Sequence, residues 1–331
     1  RLNDFYEVNE KLPEARFDVK EIQLWDSNFY YQGANSFTSY RKKEAGRSAT
    51  AYHTDRFDTY HQLTYSDKYF GWLNIFPAVS IRETYYSRGP GRTEEEESGG
   101  GDGEEADPSP TPSPTPDPPD QKDFWRRVSG FNLGISTSIY GIFDAEDEWL
   151  RIHKLRHVIE PSINYYFTDQ PTVPADEIYQ FDSIDKISRK NYTRLKLRNL
   201  LQTKHLENGQ ERSWNLIDLI LSTNMATYPD RDNNGRLLTN LESDLEITPL
   251  EWIGLDLELS YDFYDREIDE ETLDLWVRPE HDNWWVSLGH NYRRSKDRNR
   301  LSSEFYFRIN EKWAAKFYGR YSFEKERFEE E

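Results

Sequence analysis

From Gly254 to Asp265 the chain reads GLDLELSYDFYD. Leu255, Leu257, Leu259, Tyr261 and Phe263 alternate there with Asp256, Glu258, Ser260, Asp262 and Tyr264. Successive side chains of an extended chain point to opposite sides, so a period of two predicts a strand with one apolar and one polar face. The alternation recurs. Leu241, Ser243, Leu245 and Ile247 interleave with Glu242, Asp244 and Glu246; Leu195 and Leu197 interleave with Arg194, Lys196 and Arg198. Phe131, Leu133, Ile135, Thr137 and Ile139 form another apolar row. Phe305, Phe307 and Ile309 form one more, followed by Trp313, Ala315, Phe317, Gly319, Tyr321 and Phe323. The pattern predicts roughly 14 strands, many about 10 to 13 residues long, where globular strands usually run about 5 to 6. One stretch resists assignment: in SWNLIDLILSTN, Trp214 and Leu216 share one parity while Ile217, Leu219 and Leu221 share the other.

The connections carry further information. Only NEK separates the strand ending near Ile309 from the one starting at Trp313, and only TPLE separates those around Ile247 and Trp252. Polar stretches starting at Arg293 (RRSKDRNR), Asn224 and Thr168, and a connection from Ser87 to about Arg127, read as long. Short and long connections that alternate describe an up-and-down sheet with one trimmed and one elaborated rim. With strands near the ~9 to 11 residues needed to cross a bilayer, this predicts an all-β fold, an antiparallel up-and-down transmembrane β-barrel of the outer-membrane type. A closed barrel satisfies every backbone group without water. The barrel reading takes 1–92 and 121–331 as strands of the same barrel. The acidic, Pro/Gly-rich segment 93–120 is then a disordered extracellular loop insertion.

Composition fits this reading. Hydrophobic residues make up 35% of the 331, mean hydropathy is -0.96 and net charge is -19, yet aromatics reach 15%. A soluble core of this size calls for about 45 to 50% apolar residues, and disorder is opposed by the aromatic load. In a barrel only alternate residues of each crossing meet lipid, so a polar average is expected. No apolar run is long enough for a membrane helix. The start at Arg1 reads as the cut end of a fragment, and the absence of Cys excludes disulfides and thiolate metal sites.

Catalytic chemistry is thinly represented. His153 and His157 have helical chelate spacing but sit in a strand-like stretch, and no Ser lies in a nucleophile elbow. GGGDG at Gly99 lacks the Lys and Ser or Thr of a phosphate loop, and NYT at Asn191 is a weak glycosylation sequon. Net negative charge disfavours nucleic acid. The expectation is a non-enzyme without cofactor or metal.

Several segments, in order, resemble the LptD family of lipopolysaccharide-assembly proteins: LPEARFDV from Leu12, FDTYHQLTYSDKYFGWLNIFPAVSIRETYYS from Phe57, LRHVIEPSINYYF from Leu155, FDSIDKISRKNYTRLKLRNLLQTK from Phe181, and LESDLEITPLEWIGLDLELSYD from Leu241. The resemblance implies an outer-membrane barrel that delivers lipopolysaccharide to the outer leaflet. It also implies an LptE-like lipoprotein plug in the lumen, periplasmic lipopolysaccharide-bridge proteins acting through an N-terminal domain outside this stretch, and insertion by the barrel-assembly machinery. The opening strands and the closing strands beyond Glu331 are expected to lie outside it too. The leucine and phenylalanine rows, Leu245, Ile247, Leu255, Leu257, Leu259, Phe305, Phe307 and Phe317, are expected to face lipid. Arg194, Lys196, Arg198, Glu242, Asp244, Glu246, Asp256, Glu258 and Asp262 are expected to face a watered lumen. A passive porin, and a soluble aromatic-rich carbohydrate-binding β-protein, are the alternatives.

Overall fold

The computed structural model describes residues 8–43, 51–88, 122–207, 210–279 and 283–329. The segment 93–120 lies outside the described residues. The strands are β1 (Val8–Gln23), β2 (Phe29–Lys43), β3 (Ala51–Tyr65), β4 (Asp67–Tyr69), β5 (Leu73–Tyr86), β6 (Phe124–Thr137), β7 (Ile139–Asp147), β8 (Ile152–Thr168) and β9 (Lys190–Glu207). They continue with β10 (Gln210–Ala226), β11 (Leu241–Leu250), β12 (Ile253–Asp262), β13 (Glu267–Val277), β14 (Trp284–Arg293), β15 (Arg298–Arg308), β16 (Ala314–Ser322) and β17 (Arg327–Phe328). The fold is all-β: an antiparallel, up-and-down, barrel-like sheet of seventeen strands among the described residues. The count exceeds the roughly 14 read from alternation partly because β4 and β17, of 3 and 2 residues, are too short to show a period. No described helix is long and apolar enough to cross a membrane.

The chain divides into two compact units, one of 1–66, 77–131 and 167–190, the other of 67–76, 132–166 and 191–331. In the second unit, β9 to β17 form a continuous meander whose register aligns the apolar rows. Leu219 lies opposite Leu245, Leu245 opposite Leu257, and Leu257 opposite Leu273. One row over, Ile247, Leu255, Leu275 and Leu288 line up in the same way. Val286, Phe305 and Phe317 follow, the two phenylalanine rings stacking at 6.4 Å. A single register slip would send all of these to the polar side, so the alternation fixes the pairing.

The parity change in SWNLIDLILSTN has a structural cause. The pairing of β10 with β9 shifts between Asn215 and Ile217. A bulge inserts one residue without breaking the strand, so Trp214, opposite Thr203, and Ile217, opposite Leu201, fall on one face despite their odd spacing. Leu216, at the bulge, is buried.

The connection expected from RRSKDRNR is corrected. β14 extends to Arg293 and β15 begins at Arg298, leaving a tight turn in which Asp297 adopts φ 46°. The basic run stays ordered because the acids at the start of β13 and in the turn before it neutralise it. Arg293 pairs with Glu270, and Arg294 with Asp265, Glu267 and Asp269. Strict alternation of short and long connections therefore stops before the last strands. The TPLE turn is also tighter than read, since β11 runs through Leu250 and β12 resumes at Ile253.

In the first unit, β1, β2, β3 and β5 form an antiparallel meander. Phe37, Phe57 and Tyr85 line up across β2, β3 and β5, and Trp125 of β6 packs its ring 5.2 Å from that of Tyr85. Phe37, Phe57 and Trp125 are exposed on that side. On the other side, Thr38, Tyr40, Thr54, Arg56, Thr84, Tyr86 and Arg126 are buried. Burying so many polar groups requires a partner layer.

Candidate functional site

The polar face of the second unit gathers the charged residues singled out from sequence. Arg198 of β9 lies in register with Ile220, Asp244 and Glu258, and Lys196 with Ser222 and Glu242. Lys196, Glu242, Asp244 and Glu258 line one open hollow of about 360 Å³, with Glu270 and Thr272 on its far side. Asp244 faces Glu258 across the strands, Glu246 faces Asp256, and Asp256 faces Asp274. Like charges directly opposite are unfavourable, which the exposure of these side chains to solvent moderates. Arg198 donates to both oxygens of Asp218 and pairs with Glu160 at 3.4 Å. Arg194 donates to the amide oxygen of Asn224.

Asp262 behaves differently from the other acids. It is buried at the end of β12, accepts the backbone N–H groups of Tyr264 and Asp265, and pairs with Arg236 at 2.8 Å. It fixes the turn into β13. The hydrophobic candidates occupy the opposite parity of their strands: Leu245, Ile247, Leu255, Leu257, Phe305 and Phe317 lie in the aligned rows described above, Phe307 lies opposite Trp284 and Ala315, and Leu259 lies opposite Ser243 and Glu271. His153 and His157 both lie on β8, as their local sequence indicates.

The partner layer over the buried polar face of the first unit is the connection between β8 and β9, residues 169–189, here termed the strap. Arg56 of β3, 2% exposed, donates through Nη1 to Asp182 and Asp185, and through Nη2 to Asp182 and the Tyr40 hydroxyl, at 2.6 to 2.9 Å. The Tyr40 hydroxyl in turn donates to Asp182, and Tyr86 donates to Asp185. Arg126 of β6 donates to the carbonyls of Val173, Ile184 and Ile187. Phe181 stacks on Tyr40 at 4.7 Å. The strap is braced internally as well: Asp185 accepts the N–H groups of Phe181 and Asp182, and Asp182 accepts that of Ile184. Burial alone would raise the Asp182 carboxyl. The hydrogen bonds from Arg56 and Tyr40 and the Arg56 charge outweigh it and hold the group below the usual carboxylate range. Removing one member of such a buried pair costs about 3 to 5 kcal/mol, because the other is left uncompensated.

Sequence reasoning placed this connection among solvated loops. A signal was nonetheless present: Ile178, Phe181, Ile184 and Ile187 recur every third residue in an otherwise polar stretch. Ile178 and Phe181 are buried.

In comparison with known families, residues 7–264 fit the family model described as LptD protein. No curated protein matches the chain.

Proposed function

The chain belongs to the LptD protein family, which acts in lipopolysaccharide transport at the outer membrane, and on that premise we propose that it forms barrel wall delivering lipopolysaccharide to the outer leaflet. The carrying observation is the family match over most of the chain. The register supports it by separating a largely apolar face, broken at one end of β13 and β14 by the Glu271–His290 pair, from a charged face over β9 to β16. In this reading Leu245, Leu257 and Phe305 meet lipid tails. Lys196, Asp256 and Glu258 face water and a lipoprotein plug of the LptE kind. Periplasmic bridge proteins supply the lipid, and the barrel-assembly machinery inserts the wall.

Depletion of the full-length protein tests this. Surface lipopolysaccharide should fall before uptake of small solutes changes. Photo-crosslinkers at Lys196 and Asp256 should capture a small lipoprotein, and one at Leu257 should capture lipid. Purified barrels that conduct ions as open channels, with no protein captured from the charged face, would establish a porin instead.

A further inference from the structure

The contact between strap and sheet in the first unit is chemically one-sided. The sheet contributes donors: the guanidinium groups of Arg56 and Arg126 and the hydroxyls of Tyr40 and Tyr86. The strap contributes acceptors, two carboxylates and three backbone carbonyls. The sheet's donors also outnumber what the strap satisfies, since Arg56 Nε is buried without a hydrogen-bond partner among the described residues. At the edge of the cluster Lys11 approaches Asp182 to 4.0 Å and lies 5.5 Å over the Tyr40 ring. Lys11 and Asp182 keep 38% and 22% of their side-chain surface exposed, so this edge opens to solvent.

We propose that Tyr40, Arg56 and Tyr86, with Lys11 at the open edge, form an anion-binding site for phosphorylated lipid headgroups, which the strap occupies with its own Asp182 and Asp185. The ligand class rests on the lipid-transport reading, whereas the site and its internal occupant rest on geometry. A phosphate presents more acceptor oxygens than a carboxylate and binds guanidinium bidentately, so it can use the donor the strap leaves over. An anion that takes over the guanidinium's hydrogen bonds removes the contacts that hold Asp182 and Asp185 in place, so the strap leaves when such an anion replaces its carboxylates and stays down otherwise. The strap is thus an autoinhibitory contact released by exchange. Binding at the edge begins with Lys11 and Asp182, and displacement of Asp185, which is fully buried, completes it.

The test uses full-length protein in nanodiscs and follows hydrogen exchange at the amides of Phe181, Asp182 and Ile184, the three that bond to strap carboxylates. Lipopolysaccharide should accelerate their exchange at least tenfold, and its chemically dephosphorylated form should not. Pyrophosphate alone distinguishes sources: acceleration assigns the site to phosphate as such, and its absence alongside a lipopolysaccharide effect assigns it to the lipid headgroup. Asp182→Asn should lower the lipopolysaccharide concentration required. If that variant fails to fold, the unaltered protein carries the result. Exchange indifferent to both phosphorylated probes, or equal acceleration by the dephosphorylated lipid, overturns the proposal. A depletion experiment that leaves surface lipopolysaccharide unchanged would remove the transport reading while leaving this measurement interpretable.

Discussion

Replacing Leu257 by Arg probes the assignment of faces at its most demanding point. β12 has 10 residues, and Leu257 stands four residues beyond Ile253. At a rise of about 3.3 Å per residue it lies ~13 Å along the strand, which a tilt near 40° reduces to ~10 Å of depth. The apolar band of an outer-membrane barrel is about 25 Å tall, so Leu257 sits within a few ångströms of its centre, where Arg costs about 2 to 4 kcal/mol. Leu245 and Leu273 flank it across the strands, and neither can pair with a guanidinium. That cost corresponds to a folding equilibrium lowered roughly 30- to 1000-fold. Glu258, the next residue, faces Asp244 on β11 and Thr272 on β13. Glu258→Arg replaces a like-charge pair with an opposite one and is expected to be neutral or to stabilise by less than about 1 kcal/mol. Reversible urea unfolding from lipid vesicles measures both. Equal tolerance at the two positions, or a larger loss at Glu258, would refute the assignment.

Two further expectations follow from individual contacts and a third from composition. A Cβ on Gly254 would stand 2.3 Å from the Trp276 ring, whereas one on Gly319 meets nothing closer than 3.5 Å; Gly254→Ala should cost about 1 to 3 kcal/mol by overpacking and Gly319→Ala little, read from urea midpoints. Because the Asp182 carboxyl is held below its ordinary value, its contribution is present above roughly pH 3.9 and is lost as pH falls through the folded value. Strap amides should therefore keep their protection from pH 7 to pH 5, after correction for intrinsic rates, and loss within that window would assign the latch to another group. The segment 93–120, acidic and rich in Pro and Gly, should be cut by protease added to intact cells, and its deletion should still give a folded barrel; cleavage only after the outer membrane is opened would reverse the topology.

The strands and their faces were legible in the sequence because a two-residue period is a local property. Leu255, Leu257 and Leu259 state their side without reference to any partner, and the register then aligns them with Leu275, Leu273 and Glu271. The resemblance to the LptD family was legible for a related reason, since its segments keep their order along the chain. The bulge in β10 appeared only as an inconsistency of parity, because an extra residue is defined by the strand opposite. The basic run at Arg293 was misread as a loop. Its charges are unfavourable in isolation and are neutralised by Asp265, Glu267, Asp269 and Glu270, some 23 to 29 residues earlier. The strap lay furthest from sequence reasoning. Asp182 and Asp185 look solvated until Arg56, more than 120 residues away, is brought against them. A period tells which side a residue faces, and only the folded chain decides which donor meets which acceptor, because pairing energy depends on distance in space and burial.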